Sequence, residues 1–182
     1  MVAAAVVAIL GSGLVPGLAW ADAPADEGSF VVQINALRAD QGLPRLRVDT
    51  GLQAKARAWA QTMADKGTIW HSVLSDGITV RWQRLGENVG MGGDVDSLHR
   101  AFVASPHHYE NLVNPDYDRI GVGVARDASG TLFVAEEFMQ TAPAPGVTAP
   151  PPVKAPPAKA TPAKKARPAK KKTRRAAKGR RR

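Results

Sequence analysis

The chain has 182 residues, of which 25 are Lys or Arg, 16 are Asp or Glu and none is Cys. Residues 141–182 hold 14 of the basic residues and no acidic one, so residues 1–140 carry 11 basic against 16 acidic side chains. The lack of cysteine excludes a disulfide-stapled scaffold, thiolate zinc sites and a Cys nucleophile. The length between the apolar N-terminus and the basic tail allows one hydrophobic core.

The N-terminal segment is apolar and carries no charged side chain before Asp22. Its uninterrupted apolar run ends at Leu10, short of the roughly 20 residues that a membrane span needs. The sequence AWA at 19–21 has the small-x-small pattern that a signal peptidase cleaves, although no Lys or Arg precedes the apolar run. We therefore expect a signal peptide over 1–21, a short linker over 22–28, no transmembrane span and a secreted, extracellular or cell-wall location.

Helical spacing of apolar residues predicts two helices at the start of the body. Ser29 is the expected N-cap of the first helix, and Gly42 ends it. The second helix has Asp49 as its expected N-cap and Gly67 as its stop. Its apolar stripe consists of Leu52, Ala56, Trp59, Ala60 and Met63.

The rest of the body is predicted to combine short helices with a small sheet. Residues 68–93 are rich in glycine and irregular, with possible extended pieces at 68–72 and 85–90. A third helix begins after Asp94, and a short fourth helix begins at Ser105-Pro106, where Ser is the N-cap and Pro the first helical residue. A β-hairpin follows over 119–125 and 131–138. Its first strand alternates Val and Ile with Gly121, Gly123 and Ala125, which leaves one face open to close packing.

Several polar residues are candidates for a functional site, and each has a structural alternative. His71 follows Trp70, Glu87 and Asn88 lie in the segment GENVG, and His107, His108 and Asn111 lie around the short fourth helix. A single histidine beside an apolar run is more often structural than a ligand. Glu87 alone is equally consistent with a buried anchor for a tight loop.

The order of these segments resembles the bacterial branch of the CAP superfamily, the cysteine-rich secretory, antigen-five and pathogenesis-related proteins, whose domain is also called SCP. Six segments between 29 and 140 agree in order: INALR with GLP, the helix from Leu52 to Trp59, HS, GENVG, SPHHYENLVNP and RIGVGVA. The resemblance implies an α+β fold, a three-layer α-β-α sandwich with a small antiparallel sheet. It also implies that the motifs converge on one open cleft.

The resemblance further implies roles for individual residues. His71, Glu87 and His108 match the two histidines and the glutamate of the family's cleft, as metal ligands or as catalytic groups. Asn88, His107 and Asn111 are expected to line the same cleft. His107 stands where the family usually has Gly, and Ser105 where eukaryotic members have a second acidic residue, so a role that needs paired carboxylates is in doubt.

The chemistry of these groups leaves two functions open. Two neutral imidazoles and one carboxylate suit a weakly bound divalent cation such as zinc. The same groups suit general acid/base catalysis near neutral pH. No activated nucleophile is evident. The leading expectation is a noncatalytic protein whose cleft takes a cation, a small lipid or another ligand, and the alternative is a metal-dependent hydrolase.

The tail over 141–182 has the composition of a disordered, polyanion-binding segment: it holds 9 of the 14 prolines, and its positive charge rises toward its end. With a signal peptide, an anionic envelope polysaccharide or a glycosaminoglycan is the expected partner. A nucleic acid becomes the expected partner if the N-terminus is not an export signal. The predicted polyanion-binding residues are Lys164, Lys165, Arg167, Lys170, Lys171, Lys172, Arg174, Arg175, Lys178, Arg180, Arg181 and Arg182.

Overall fold

The computed structural model describes residues 23–143. The predicted signal peptide and almost all of the basic tail lie outside these residues, so both remain predictions. The elements in chain order are α1 (Ala23–Asp40), β1 (Arg47–Val48), α2 (Thr50–Lys66), β2 (Trp82–Gly92), α3 (Val95–Ala104), α4 (Pro106–Leu112), β3 (Arg119–Arg126) and β4 (Leu132–Thr141). Within 23–143, no helix has the length and hydrophobicity to cross a bilayer.

The four strands form one mixed sheet in the order β1-β3-β4-β2. β4 pairs antiparallel with both β3 and β2, as the predicted hairpin and antiparallel sheet require. The two-residue β1, which the sequence analysis missed, pairs in parallel with β3. Such a short strand has no detectable alternation, and its position depends on backbone bonds from Arg47 to Asp118 and from Asp49 to Ile120.

The helices cover both faces of the sheet and so form the predicted three-layer sandwich. On one face, α1 packs onto β3, and α3 and α4 pack onto β2, around a core that includes Phe30, Ile34, Phe102 and Phe138. On the other face, α2 packs on the sheet through Ala56, Ala60 and Met63 against Phe133 and Ala135. The apolar stripe that predicted α2 is therefore the stripe that it buries.

The glycine-rich face of β3 lies directly under the backbone of α2. A Cβ atom on Gly121 would lie 2.2 Å from the carbonyl carbon of Leu52, and one on Gly123 would lie 2.1 Å from that of Ala56. Backbone atoms of a packed helix cannot move aside by the required distance. The open face predicted for this strand is therefore filled by the helix itself.

α1 begins at Ala23, inside the predicted linker, and Ser29 is not its N-cap. The hydroxyl of Ser29 donates to the carbonyl of Ala25 within the helix. The early start is stabilised from outside the segment, because the buried Glu27 accepts hydrogen bonds from Arg57 and Gln53 of α2. A partner 30 residues away leaves no local signal in the sequence.

The other predicted helix boundaries agree more closely with the structure. Asp49 accepts bonds from the backbone of Gly51 and Leu52, and Gly67 ends α2 in the left-handed region at φ 64°. Asp94 caps α3. Ser105 holds the N-cap position of α4 without a side-chain bond. β2 is longer than the piece predicted at 85–90, and 68–72 contains no strand.

Candidate functional site

The candidate site is centred on an imidazole held by a buried carboxylate. Glu87 lies in the middle of β2 with its side chain 1% exposed, whereas the side chain of His71 is 64% exposed. Glu87 Oε1 lies 2.7 Å from His71 Nδ1 and accepts a bond of 2.9 Å from the backbone N–H of Ser72. Because Nδ1 is used in this pair, Nε2 is the nitrogen left for a ligand.

A second carboxylate, from β4, faces the first. Glu137 is paired in register with Glu87 and forms a buried ion pair with Lys55 of α2. Lys55 Nζ also donates to Ser72 Oγ at 2.5 Å. Burial raises the pKa of Glu137 to about 7, Lys55 lowers it, and the neighbouring Glu87 raises it. The site thus contains two neighbouring carboxylates, Glu87 and Glu137. The second one comes from β4 and not from position 105, where the resemblance placed the second acidic residue of eukaryotic members.

The sequence analysis missed Lys55 and Glu137. The signal for Glu137 was available: two consecutive glutamates, Glu136 and Glu137, interrupt an apolar run in the predicted second strand of the hairpin. Alternation sends their side chains to opposite faces of the sheet. Charged residues at buried strand positions need partners, which makes them candidates for a polar site.

Asn88 and Asn111 form a structural network on the opposite face of the sheet. The Nδ2 of Asn88 donates to Glu136 Oε2 at 3.0 Å and to the carbonyl of His108 at 3.2 Å. The Nδ2 of Asn111 donates to Asn88 Oδ1 and to the carbonyl of Glu87. Asn88 is completely buried. These amides connect α4 to β2, and the side chain of Asn88 is not exposed to a ligand.

His108 does not join the His71–Glu87 pair through a hydrogen bond. Its ring packs on Phe102 of α3, with ring centroids 4.7 Å apart. Its buried Nδ1 has no hydrogen-bond partner in the described part of the chain. Burial lowers the pKa of His108, and the charges of His71 and His107 lower it further. His107 is exposed on α4.

The arrangement does not fit the zinc site that the resemblance implied. Among residues 23–143, no group of three His, Asp or Glu side chains is placed to hold a metal ion. Zinc sites with an open position ordinarily have three protein ligands. Here the Glu87 carboxylate already accepts hydrogen bonds from His71 and from the backbone of Ser72. A metal ion held mainly by His71 Nε2 would bind weakly. Zinc binding at His71, Glu87 and His108 stays a prediction.

The fold and this His–carboxylate pair define an α-β-α sandwich domain in which an exposed imidazole is held by a buried carboxylate. The model of the cysteine-rich secretory protein family, CAP, matches residues 31–138. The chain belongs to this family, which confirms the resemblance drawn from its motifs, although it contains no cysteine.

Relatives agree with this assignment. The uncharacterized protein YkwD of Bacillus subtilis strain 168 is 32% identical over 112 residues, which are 57% of this chain and 44% of YkwD. The chain thus matches less than half the length of that relative. Two bacterial structures share the fold. An outer surface protein from Borrelia burgdorferi has 23% identity and a TM-score of 0.58 over 65% of this chain and 94% of its own. An extracellular SCP-domain protein from Bacillus anthracis str. Ames has 22% identity and a TM-score of 0.62, and the match covers 70% of this chain and 44% of that protein.

Proposed function

We propose that the chain is a secreted or cell-envelope-associated binding protein with two binding regions. The cleft at His71 takes a small polar ligand, and the basic tail holds an anionic polymer. The observation that carries the cleft proposal is the contact between the exposed His71 and the buried Glu87. The extracellular location is supported by the signal-peptide pattern and by fold similarity to an extracellular SCP-domain protein.

The cleft is built to present one oriented imidazole. A buried carboxylate hydrogen-bonded to Nδ1 fixes the orientation of the His71 ring. The side chain therefore loses little conformational freedom when a ligand binds at Nε2. The ion pair between Lys55 and Glu137 holds Ser72, whose backbone N–H in turn holds Glu87. In the tautomer that donates its Nδ1 proton to Glu87, Nε2 carries a lone pair and accepts a hydrogen bond. The ligand class that fits is therefore a small molecule with hydroxyl or amide N–H groups.

Hydrolysis is the second candidate function, favoured by the raised pKa of Glu137 opposite Glu87. A carboxyl group that titrates near neutral pH, next to the carboxylate that orients an imidazole, can serve in acid/base catalysis. Ser72 is a poor nucleophile in this arrangement. Its hydroxyl oxygen accepts from Lys55 Nζ at 2.5 Å and donates to Glu137 Oε1 only at the long distance of 3.4 Å, and that carboxylate is already paired with Lys55.

The cleft proposal predicts a selective loss of ligand binding in His71→Ala. We expect polar fragments found by NMR screening of the full chain to shift the ring resonances of His71 and to bind about tenfold more weakly to the variant. Arg45→Ala is the control, since Arg45 is exposed in the turn after α1 and belongs to no part of the candidate site. A zinc titration in parallel reports whether a metal uses the same ring. Fragments that bind equally to both variants would refute the cleft.

The tail proposal rests on the division of charge, because a body with an excess of acidic residues should be repelled by a polyanion. We expect removal of residues 144–182 to abolish binding to heparin and to leave thermal unfolding nearly unchanged. Binding of the full chain should weaken steeply with salt. Equal affinities for heparin and duplex DNA would indicate nonspecific charge pairing. If the truncated chain still binds heparin as tightly as the full chain does, the tail is not the binding region.

A further inference from the structure

The exposed apolar side chains are concentrated in one segment. Among residues 23–143, nine large apolar side chains are exposed, and five of them lie between the end of α2 and the first residue of β2. We call these five residues the apolar strip: Ile69, Trp70, Val73, Val80 and Trp82. Isolated exposed apolar residues are ordinary on a protein surface, whereas a contiguous set marks an interaction surface.

The segment that carries the apolar strip is packed along α2. The indole of Trp59 in α2 donates to the carbonyl of Trp70 at 2.8 Å, and the two rings meet edge to face with centroids 5.1 Å apart. Farther along, Val73 lines a cavity of about 260 Å³ together with Ala58 and Trp59. The apolar surface thus continues beneath the segment.

The segment then reaches the first turn of α2. Val80 lines a second cavity there, of about 170 Å³, with Leu52. Trp82 follows at the first residue of β2. The apolar strip therefore follows one flank of the domain, anchored to α2 at several points.

The basic tail begins beside one end of the apolar strip. Trp82 is paired in register with Thr141, and the backbone N–H of Ala142 donates to the carbonyl of Arg81 at 3.0 Å. Residues 144–182, which hold 14 basic and no acidic residues, continue from this point. On the body, the exposed Lys66 and Arg81 flank the strip, and the exposed Asp76 lies within its segment. The large excess of positive charge is therefore supplied by the tail, which is covalently connected to the body next to Trp82.

We propose that the apolar strip docks onto an anionic lipid bilayer. Trp is favoured at the membrane–water interface, and apolar insertion combined with a polybasic segment forms the two signals that stable peripheral attachment needs. A second copy of the chain fits less well, because two tails of 14 positive charges would be brought together. The inference rests on the polyanion affinity of the tail and adds an insertion surface that the proposed function does not contain.

The test uses the full chain and vesicles of phosphatidylcholine with or without phosphatidylglycerol. We expect binding to the anionic vesicles, a blue shift of Trp emission, and residual binding at a salt concentration that releases the chain from heparin. Trp82→Ser should weaken vesicle binding about tenfold. Val73→Ser should weaken it less, and Val32→Ser should not change it. Val32 on α1 is the matched control because Val73 and Val32 are both 62% exposed.

The outcomes separate this inference from the proposed function. If Trp82→Ser and Val73→Ser bind anionic vesicles as the unmodified chain does, the tail acts alone and the insertion surface is refuted while polyanion binding stands. If the chain binds heparin but not the vesicles, the inference is also refuted. If the strip variants change only self-association in solution, the occupant is a second copy. If heparin does not bind either, the proposed role of the tail fails as well.

Discussion

Arg38→Met is expected to lower the free energy of unfolding by about 3–5 kcal/mol. The side chain is completely buried on α1, and within residues 23–143 it forms no ion pair with a carboxylate. Its guanidinium instead donates to four backbone carbonyls, those of Pro44, Leu112, Asn114 and Tyr117. Burial lowers the pKa of Arg38 to about 10, so the group is still charged at neutral pH. Methionine fills much of the space but leaves all four carbonyls without their donor.

Urea denaturation followed by circular dichroism measures the loss, with Arg45→Met as the control. Arg45 is exposed in the turn after α1, so its replacement should change stability by less than about 0.5 kcal/mol. Arg38→Lys tests the geometry separately. An ammonium keeps the charge but cannot reach carbonyls spread around a planar fork, so we expect most of the loss to remain. Equal stability of the Arg38 and Arg45 variants would show that the buried guanidinium contributes nothing.

Arg38 also affects the position of the candidate site. The carbonyls of Leu112 and Asn114 belong to the end of α4 and to the turn just after it, and α4 carries His108 and Asn111. Asn111 in turn bonds to the carbonyl of Glu87. Arg38 is thus connected, through the end of α4 and Asn111, to the backbone of Glu87, whose carboxylate orients His71. This connection gives the INALR segment, recognised in the sequence as part of a family motif, a physical role in the fold.

The elements that the sequence predicted best are those with local causes. α2 has an apolar stripe, an Asp cap and a glycine stop within one segment, and all three appear in the structure. The hairpin of β3 and β4 was likewise visible from alternation. The start of α1 was not visible in the sequence, because its first turns are stabilised by the contact of Glu27 with Arg57 of another helix. The parallel β1 was missed because two residues carry no periodic signal.

The site was only partly predictable for the same reason. His71 and Glu87 are 16 residues apart, and it was the order of the family motifs that placed them together. The contact of Lys55 with Glu137 joins residues 82 apart and depends on the register of β4 beside β2. Register and helix packing are tertiary properties, so no local pattern indicated that Lys55 contacts Glu137 and Ser72.

Glu136→Gln is expected to stabilise the protein at neutral pH, by an amount that grows as pH rises. Glu136 is completely buried, and its Oε1 has no hydrogen-bond partner among residues 23–143. Burial raises its pKa from 4.5 to about 8, while the hydrogen bond from Asn88 lowers it. The folded protein therefore keeps a proton that the unfolded chain releases above its ordinary pKa. The contribution of Glu136 is fully present below pH 4.5 and declines as pH rises to about 8.

By pH 7 the unmodified protein has lost unfolding free energy on the order of 3 kcal/mol through this group. Glutamine avoids the loss, because an amide does not titrate and its oxygen can still accept a hydrogen bond from Asn88. Urea unfolding of both proteins from pH 4 upward gives the difference between the two stability curves, in which the titration of Glu137 cancels. Glu110→Gln, at an exposed position on α4, is the matched control and should show no such trend. A difference between Glu136→Gln and the unmodified protein that is constant with pH would show that Glu136 is ionised in the folded state, held by a partner other than Asn88.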